Sequence, residues 1–153
     1  MSIEQVELRE ARSLRDAQAM RAIRNACREY MTNNTSEISS FEQFKWWLQV
    51  RWNKDWKLYL LWHNGDPVGY GILRKKDCKW WVTGGLVEHS RGIGLGRDLF
   101  TLLTKTAMES PSASVYLEVR LTNTKALNLY RSIGFRFIGT KNEETVIMGN
   151  FQR

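Results

Sequence analysis

Apolar residues recur at steps of three and four in two segments near the N-terminus, a spacing that is typical of amphipathic helices. The first segment runs from Ser13 to Met31 and the second from Ser39 to Trp52. Each segment begins with a serine that is followed three residues later by an acidic residue, Asp16 or Glu42, which is the spacing of a capping pair. The pattern therefore predicts two consecutive helices.

In the middle of the chain, apolar and polar residues alternate with a period of two, which is typical of strands. Trp56 to His63, Val68 to Arg74 and Lys79 to Val87 read as strands. The turn-forming run Asn64-Gly65-Asp66-Pro67 separates the first two, and the charged run Arg74-Lys75-Lys76-Asp77 lies where the tip of a second hairpin is expected. These segments predict an antiparallel meander of three strands.

Helical and strand patterns alternate in the C-terminal part of the chain. The predicted elements there are a helix over Leu95 to Met108, a strand over Ser114 to Arg120, a helix over Asn123 to Ile133, and a closing hairpin of Phe135 to Thr140 with Thr145 to Gly149. With Val6 to Arg9 as a first strand, the order is βαα-βββ-α-β-α-ββ. The mixture predicts an α/β (α+β) protein. The chain has 153 residues and contains no repeat or linker, so residues 1–153 are expected to form one domain.

Composition excludes several classes of protein. The net charge of +7 would suit nucleic acid or a phosphate-bearing small molecule, but no basic run exceeds three residues. Met1 to Glu10 lacks the apolar stretch of a signal peptide, so a cytoplasmic protein without a membrane partner is expected. Cys27 and Cys78 are too few for a disulfide framework, and His63 and His89 lack clustered partners, so no metal site is predicted.

The run Arg91-Gly92-Ile93-Gly94-Leu95-Gly96 lies between a predicted strand and a predicted helix. Glycines at alternate positions let the backbone approach an anion without interference from a Cβ atom, and the N-terminus of the helix attracts that anion. Arg97 stands where a dinucleotide fingerprint needs its third glycine, and no Gly-Lys-Ser/Thr follows to make a nucleotide-triphosphate loop. The run therefore predicts a pyrophosphate site to which Arg91 adds a full charge.

This loop fits the pattern Arg/Gln-x-x-Gly-x-Gly and resembles the acyl-CoA loop of the GNAT family of acetyltransferases. A second segment agrees position by position with the second acyl-CoA segment of the family: Leu117-Glu118-Val119-Arg120, Asn123, Ala126, Leu129-Tyr130 and Gly134-Phe135. It is similar in particular to bacterial members that acetylate a ribosomal-protein N-terminus. The resemblance implies the GNAT fold, a mixed and mostly antiparallel central sheet of about seven strands flanked by about four helices. It also implies that the strands before and after the helix of the loop splay apart.

The resemblance further implies an N-acetyltransferase that moves the acetyl group of its cosubstrate acetyl-CoA directly to a primary amine, without a metal. Tyr130 matches the tyrosine that protonates the departing thiolate in the family, and Glu118 matches the glutamate that acts as base in the members with the most similar segment. Cofactor contacts carried over by position are the backbone groups of Leu86 and Val87, the loop residues Arg91, Gly92, Ile93, Gly94, Leu95 and Gly96, and Asn123.

Both catalytic assignments have a structural alternative. Tyr130 also fits a core aromatic residue on an amphipathic helix. Strand alternation places Glu118 on the face opposite Leu117 and Val119, where a carboxylate paired with a neighbouring arginine is the alternative. Glu88 and His89 are weaker candidates for the base, because charges at the edge of a loop are commonly solvated.

Three classes of amine acceptor stay open: a protein N-terminus or lysine, a small amine such as an amino sugar-nucleotide, and an amine on nucleic acid. The resemblance around Glu118 favours the first class, and nucleic acid is not favoured. A non-catalytic acyl-CoA sensor is the alternative of another class, and both a monomer and a homodimer fit the sequence. The first two predicted helices carry the candidate residues for the acceptor site, which are Arg24-Asn25, Tyr30, Phe41, Trp46-Trp47 and Trp52. Their helical spacing makes packing in the core the expected role of about half of them.

Overall fold

The computed structural model describes residues 5–28, 36–110 and 113–151. Its helices are α1 (Leu14–Ala26), α2 (Ser40–Val50), α3 (Leu95–Ala107) and α4 (Thr124–Ser132), and a short 3-10 turn spans Glu88–Ser90. Its strands are β1 (Val6–Glu10), β2 (Trp56–His63), β3 (Asp66–Lys76), β4 (Lys79–Leu86), β5 (Ser114–Arg120), β6 (Arg136–Thr140) and β7 (Thr145–Phe151). The predicted order of elements is confirmed. Tyr30 and Met31 lie outside the described residues, and the described first helix ends at Ala26.

The described strands form one seven-stranded sheet in the order β1-β2-β3-β4-β5-β7-β6. Neighbouring strands are antiparallel except for β4 and β5, which run parallel. The predicted meander is β2, β3 and β4, and the second hairpin turns at Asp77 and Cys78, both of which have positive φ. The mixed, mostly antiparallel sheet flanked by helices confirms the expected fold class.

Helices cover both faces of the sheet, and a hydrophobic core lies under each pair. On one face, α1 and α2 bury Met20, Ile23 and Trp47 against the sheet residues Leu60 and Tyr70. On the other face, α3 and α4 pack on a second cluster, in which α3 contributes the buried residues Leu95, Leu99, Phe100, Leu103 and Ala107. Because each face is apolar, the sheet is buried on both sides around its centre. No helix in the described ranges has the length and apolar character needed to cross a membrane.

Two glycines on β3 and β4 allow α3 to approach the sheet closely. A Cβ atom added at Gly71 would lie 2.5 Å from Cδ1 of Leu103, and one added at Gly84 would lie 3.3 Å from Cδ2 of Leu99 and 2.8 Å from the carbonyl oxygen of Tyr70. The β3–β4 register is continuous through both residues. The glycines therefore set the depth at which α3, and with it the loop at the start of α3, sits on the sheet.

We expect Gly71→Ala to lower the free energy of unfolding by about 1–3 kcal/mol, because Leu103 is fully buried and has to move to admit the methyl group. Urea unfolding of the variant and the parent measures this difference. Gly139→Ala is the matched control, since a Cβ atom there meets no atom within 4 Å and the change should stay within about 0.5 kcal/mol. Equal effects of the two substitutions would contradict the close-packing role of Gly71.

Candidate active site

A gap opens in the middle of the sheet, between the parallel strands β4 and β5. The two strands pair at Trp80 with Val115 and at Trp81 with Tyr116, and no further pair joins them along their described lengths. Beyond this point lies a cavity of about 740 Å³, which reaches residues of α1, α2 and α4. The divergence of these two strands is the splay that the family resemblance implied.

Backbone groups along the β4 side of the gap are left without a strand partner. The N–H group of Val87 donates to the carbonyl of Val68 at 2.9 Å, continuing the alternation of the β3–β4 ladder. The groups of Val82 and Gly84 therefore point away from β3 and towards the gap. Val87 itself is engaged on both sides, because its carbonyl accepts from the N–H group of Ser90 at 3.0 Å.

The glycine loop at the end of β4 has the left-handed backbone that its sequence suggests. Gly92 has φ +80° and Gly94 has φ +87°, and a Cβ atom added at either position would meet nothing within 4 Å. Gly96 lies inside the first turn of α3, where an added Cβ atom would make ordinary contacts with Leu86 and Leu129 at 3.6 Å. The conformation at Gly92 and Gly94 is strained for any other residue type, and the space beside both is open.

Helix α3 begins at this loop without a side-chain cap. Its N-cap residue Gly94 has no side chain, and the first N–H group that bonds within the helix is that of Asp98, which donates to the Gly94 carbonyl at 3.2 Å. By contrast, Ser13, Ser39 and Asn123 each accept a backbone N–H bond at the start of the other three described α-helices. The N-terminus of α3 thus keeps orphan donors and the positive end of its dipole for an anion.

The guanidinium group of Arg91 folds back onto the end of β4. Its Nη2 and Nε atoms donate to the carbonyl of Leu86 at 3.1 and 3.3 Å. It also lies near the thiol of Cys27 at the end of α1. Burial raises the pKa of that thiol, and the nearby positive charges of Arg91 and Arg24 oppose the rise. The structure therefore holds the Arg91 charge at the base of the loop, where it ties the loop to β4 and α1.

Tyr130 reaches the cavity from α4. Its ring packs edge-on against Phe100 at 4.9 Å and Phe135 at 6.0 Å between ring centroids. Burial raises the pKa of the Tyr130 hydroxyl, so it remains a neutral O–H donor. Among the described residues, none forms a hydrogen bond with this hydroxyl. The ring is thus packed in the way that the core alternative expects, and the residue also lines the cavity.

Glu118 lines the cavity from β5. It lies between the buried residues Leu117 and Val119 in sequence, and the alternation of the strand turns its side chain to the face of α1 and α2. Its Oε2 atom accepts a hydrogen bond from Nζ of Lys141 at 3.1 Å, and its side chain is 22% exposed. The structural alternative of an ion-paired carboxylate is thus present, with a lysine as the partner, at a position that also faces the cavity.

The remaining predicted site residues near the loop are divided between the cavity and its surroundings. Asn123 lines the cavity, and its Oδ1 atom accepts the N–H group of Ala126 at 3.2 Å, which leaves its amide nitrogen to contact a ligand. Glu88 is exposed and does not line the cavity. The side chain of His89 is outside the described part of the structure.

Across residues 5–28, 36–110 and 113–151, no three His, Cys, Asp or Glu side chains are arranged to bind a metal ion.

The predicted acceptor residues on α1 and α2 separate into three groups. Trp46 lines the cavity, Trp47 is buried, and Phe41 and Trp52 are exposed at the surface. Arg24 also lines the cavity and donates to the carbonyl of Ser36. Asn25 fixes the start of the described segment after α1 by exchanging two hydrogen bonds with the backbone of Ile38, at 2.8 and 2.9 Å.

Strands β2, β3 and β4 add three residues to the cavity lining that the sequence did not single out. Trp56, Arg74 and Trp81 all line it. Arg74 belongs to the charged run near the tip of the second hairpin and is exposed, and the alternation of Ile72 and Arg74 along β3 places both on the cavity face. The signal that could have found them is this alternation, continued past the end of the apolar part of the strand.

The family model of the acetyltransferase (GNAT) family matches residues 17–135, which include the loop, the splayed strands and Tyr130. This chain belongs to the GNAT family. An N-alpha-acetyltransferase of Sulfurisphaera tokodaii is 39% identical over 48% of this chain and 52% of its own length. An N-alpha-acetyltransferase of Arabidopsis thaliana is 32% identical over 50% of this chain and 43% of its own length. The GNAT chain thus spans about half the length of the curated relatives it matches.

Solved structures share the fold over nearly the whole GNAT chain. A spermidine N-acetyltransferase from Vibrio cholerae, in complex with CoA and spermine, has a TM-score of 0.82 at 18% identity and covers 97% of this chain and 96% of its own. A ribosomal-protein-alanine N-acetyltransferase from Brucella melitensis has a TM-score of 0.80 at 21% identity and covers 95% and 99%. At these identities the likeness establishes the fold of the GNAT chain.

Proposed function

We propose that this GNAT protein transfers the acetyl group of acetyl-CoA to a primary amine. The observation that carries the proposal is the gap between β4 and β5. An uncapped helix N-terminus with its glycine loop lies at the end of β4, and Tyr130 and Glu118 face the cavity. This arrangement can hold a phosphate-bearing cosubstrate and an amine on either side of one opening in the sheet.

The residues of the loop fit the pyrophosphate of acetyl-CoA. The open space beside Gly92 and Gly94 admits close backbone approach, and the N–H groups from Gly92 to Gly96, with the α3 dipole, would hold the negative charge. The gap-facing groups of Val82 and Gly84, the N–H group of Leu86 and the amide nitrogen of Asn123 would pair with amide groups of the pantetheine arm. Bound in this way, acetyl-CoA supplies a thioester carbonyl that is activated for attack.

Glu118 is proposed as the base that takes a proton from the amine. A primary amine is largely protonated at neutral pH, with a pKa of about 8 for a peptide N-terminus and about 10 for lysine, and only the neutral form attacks a carbonyl. The Oε2 atom of Glu118 lies 3.1 Å from Nζ of Lys141, which holds the carboxylate in position at the cavity. The strand places this carboxylate at the cavity instead of in the core.

Tyr130 is proposed as the acid that protonates the leaving sulfur. After Glu118 has passed the first proton to solvent, the neutral amine attacks, and the carbon–sulfur bond breaks as the nitrogen–carbon bond of the amide forms. Glu118 takes the second proton, which the nitrogen loses in this step, and the Tyr130 hydroxyl gives its proton to the sulfur and regains one from solvent. A partly buried, neutral phenol suits this step because its raised pKa keeps the proton in place until negative charge develops beside it. The packing of its ring against Phe100 and Phe135 fixes the position of the hydroxyl.

The acceptor is proposed at the level of a primary amine. The two matched relatives are named as N-alpha-acetyltransferases, which supports the amine of a protein N-terminus as one candidate. A non-catalytic acyl-CoA sensor would use the same loop, but it would not need a neutral phenol and a carboxylate at the cavity. The turnover experiment below separates the sensor from the enzyme.

Gly94→Val is expected to weaken acetyl-CoA binding by about tenfold or more, because its side chain would fill the space through which the anion meets the backbone. Isothermal titration calorimetry with acetyl-CoA measures the change. Gly65→Val is the matched control: Gly65 has φ +86°, its added Cβ atom also meets nothing within 4 Å, and it lies in the β2–β3 turn away from the loop. Equal acetyl-CoA affinity in both variants would contradict the assignment of the loop.

Tyr130→Phe is expected to lower kcat by about a hundredfold while acetyl-CoA still binds, because only the hydroxyl is removed. Thiol release from acetyl-CoA with an amine panel measures kcat. Since the pKa of Tyr130 is raised above 10, this group is expected to cause no loss of activity as the pH rises to about 10. A fall in rate well below that pH that disappears in Tyr130→Phe would contradict the proposed acid.

Glu118→Gln should show a similar loss of kcat, and Lys141→Ala tests whether the ion pair alone explains it. If Glu118 acts as the base, the lysine variant keeps most of its activity; if the pair is purely structural, both variants lose activity and stability together. Absence of thiol release from the parent protein with every amine tested, with acetyl-CoA still bound, would favour the sensor.

A further inference from the structure

Four side chains lie in register across the sheet on the face of α1 and α2. Trp56 on β2 pairs with Arg74 on β3, Arg74 with Trp81 on β4, and Trp81 with Tyr116 on β5. The Arg74 guanidinium carbon lies 4.8 Å from the centre of the Trp56 ring, and the Trp81 and Tyr116 ring centroids are 5.4 Å apart. We call these four residues the aromatic row.

The aromatic row lies directly beside the point where β4 and β5 separate. Trp81 and Tyr116 form the last pair between the two strands, and Glu118 is the next residue of β5 on the same face. Trp56, Arg74 and Trp81 line the same cavity as Glu118. An acceptor whose amine reaches Glu118 would therefore rest its body against planar rings and a guanidinium group.

A further aromatic ring, that of Trp46 on α2, lies beside this surface. Trp46 lines the cavity and meets Trp56 edge-on, with ring centroids 6.0 Å apart and planes at 83°. The cavity volume of about 740 Å³ is within the range of about 300–1,000 Å³ that is typical for small-molecule sites. The cavity that Glu118 lines is thus large enough for a small molecule, and its lining includes Trp46, Trp56 and Trp81, whose rings suit an acceptor with a planar ring system.

The lining of the cavity is more basic than acidic. Its basic residues are Arg21, Arg24, Arg74, Lys76 and Lys141, and its acidic residues are Glu42, Asp77 and Glu118. Groups of both signs already have local partners: Glu118 pairs with Lys141, and Glu42 accepts from the hydroxyl of Ser39 in the α2 cap. Arg21 and Arg24 donate to the carbonyls of Ile38 and Ser36. The remaining excess of positive charge opposes a polyamine and favours an acceptor that carries negative charge.

We infer that the acceptor of this site is an amine carried by a nucleoside diphosphate, such as an amino sugar linked to one. The inference rests on the proposed N-acetyltransferase activity. The base would stack on the tryptophans of the aromatic row and on Trp46, since every base has a π face. Arg74 and Lys76 would pair with the phosphates, and the amine on the sugar would reach Glu118.

Direct binding tests this inference without turnover. The protein is first saturated with CoA so that the loop is filled, and UDP, dTDP, CDP and GDP are then titrated while tryptophan fluorescence is followed. At least one of the four is expected to bind with a Kd below about 1 mM, and the affinity should fall as salt is raised. If none of the four nucleotides binds at a concentration tenfold above this expected Kd limit, the inference is overturned.

Arg74→Ala is expected to weaken nucleotide binding about tenfold or more, because it removes both a phosphate partner and a stacking surface. Lys75→Ala is the matched control, since Lys75 is the adjacent exposed cation, and strand alternation turns it to the opposite face of the sheet. Neither change is expected to alter the affinity for acetyl-CoA. Equal weakening by both variants would indicate diffuse charge attraction and would contradict a site at the aromatic row.

Turnover then separates this inference from the proposed function. Thiol release is compared for UDP-glucosamine, free glucosamine, spermidine and a short peptide with a free N-terminus. A kcat/KM about tenfold or more higher for the nucleotide-linked amine than for the free sugar supports the inference. Preference for the peptide or for spermidine overturns it and leaves the N-acetyltransferase standing, whereas nucleotide binding without thiol release from any amine would count against the proposed activity itself.

Discussion

The parallel contact between β4 and β5 ends at Trp81 and Tyr116, and the described part of the site depends on this early end. A buried backbone group without a partner costs about 1–3 kcal/mol, so two strands that part within a sheet must expose their free edges to water or to a ligand. In this protein the edges line a cavity that contains the proposed base and acid. The missing pairs of the sheet are thus the positions proposed for the acyl-CoA arm.

The gap remains open because each strand is held on its other side. All of β4 pairs with β3, and all of β5 pairs with β7. Helix α3 packs deeply against Gly71 and Gly84, which fixes the height of the glycine loop above the end of β4. Arg91 links the glycine loop to the Leu86 carbonyl at the end of β4 and to Cys27 at the end of α1. The loop is therefore held against both β4 and α1.

Local patterns were sufficient to predict most of the elements. The strands Trp56–His63 and Ser114–Arg120 were predicted with the observed bounds, because alternation and flanking turn residues define them locally. The caps at Ser13, Ser39 and Asn123 follow from side chains three residues or fewer from their partners. Family resemblance, and not periodicity, led to the splayed strands.

The parts of the site that sequence did not predict depend on contacts between distant segments. The pairing of Glu118 with Lys141 requires the packing of β5 against the β6–β7 hairpin, and the aromatic row requires the register of four strands. The fold-back of Arg91 onto Leu86 could not be read from a loop pattern that suggests an extended charge. In each case a tertiary contact decides where a side chain lies, and no local spacing records it.

A crystal structure of the protein with bound CoA would show directly whether the gap between β4 and β5 holds the cosubstrate. We expect the pyrophosphate within hydrogen-bond distance of the N–H groups between Gly92 and Gly96, the pantetheine arm between β4 and β5, and the sulfur beside the Tyr130 hydroxyl. CoA bound outside the gap between β4 and β5, or a CoA sulfur separated by β4 from Tyr130 and Glu118, would contradict the proposed site.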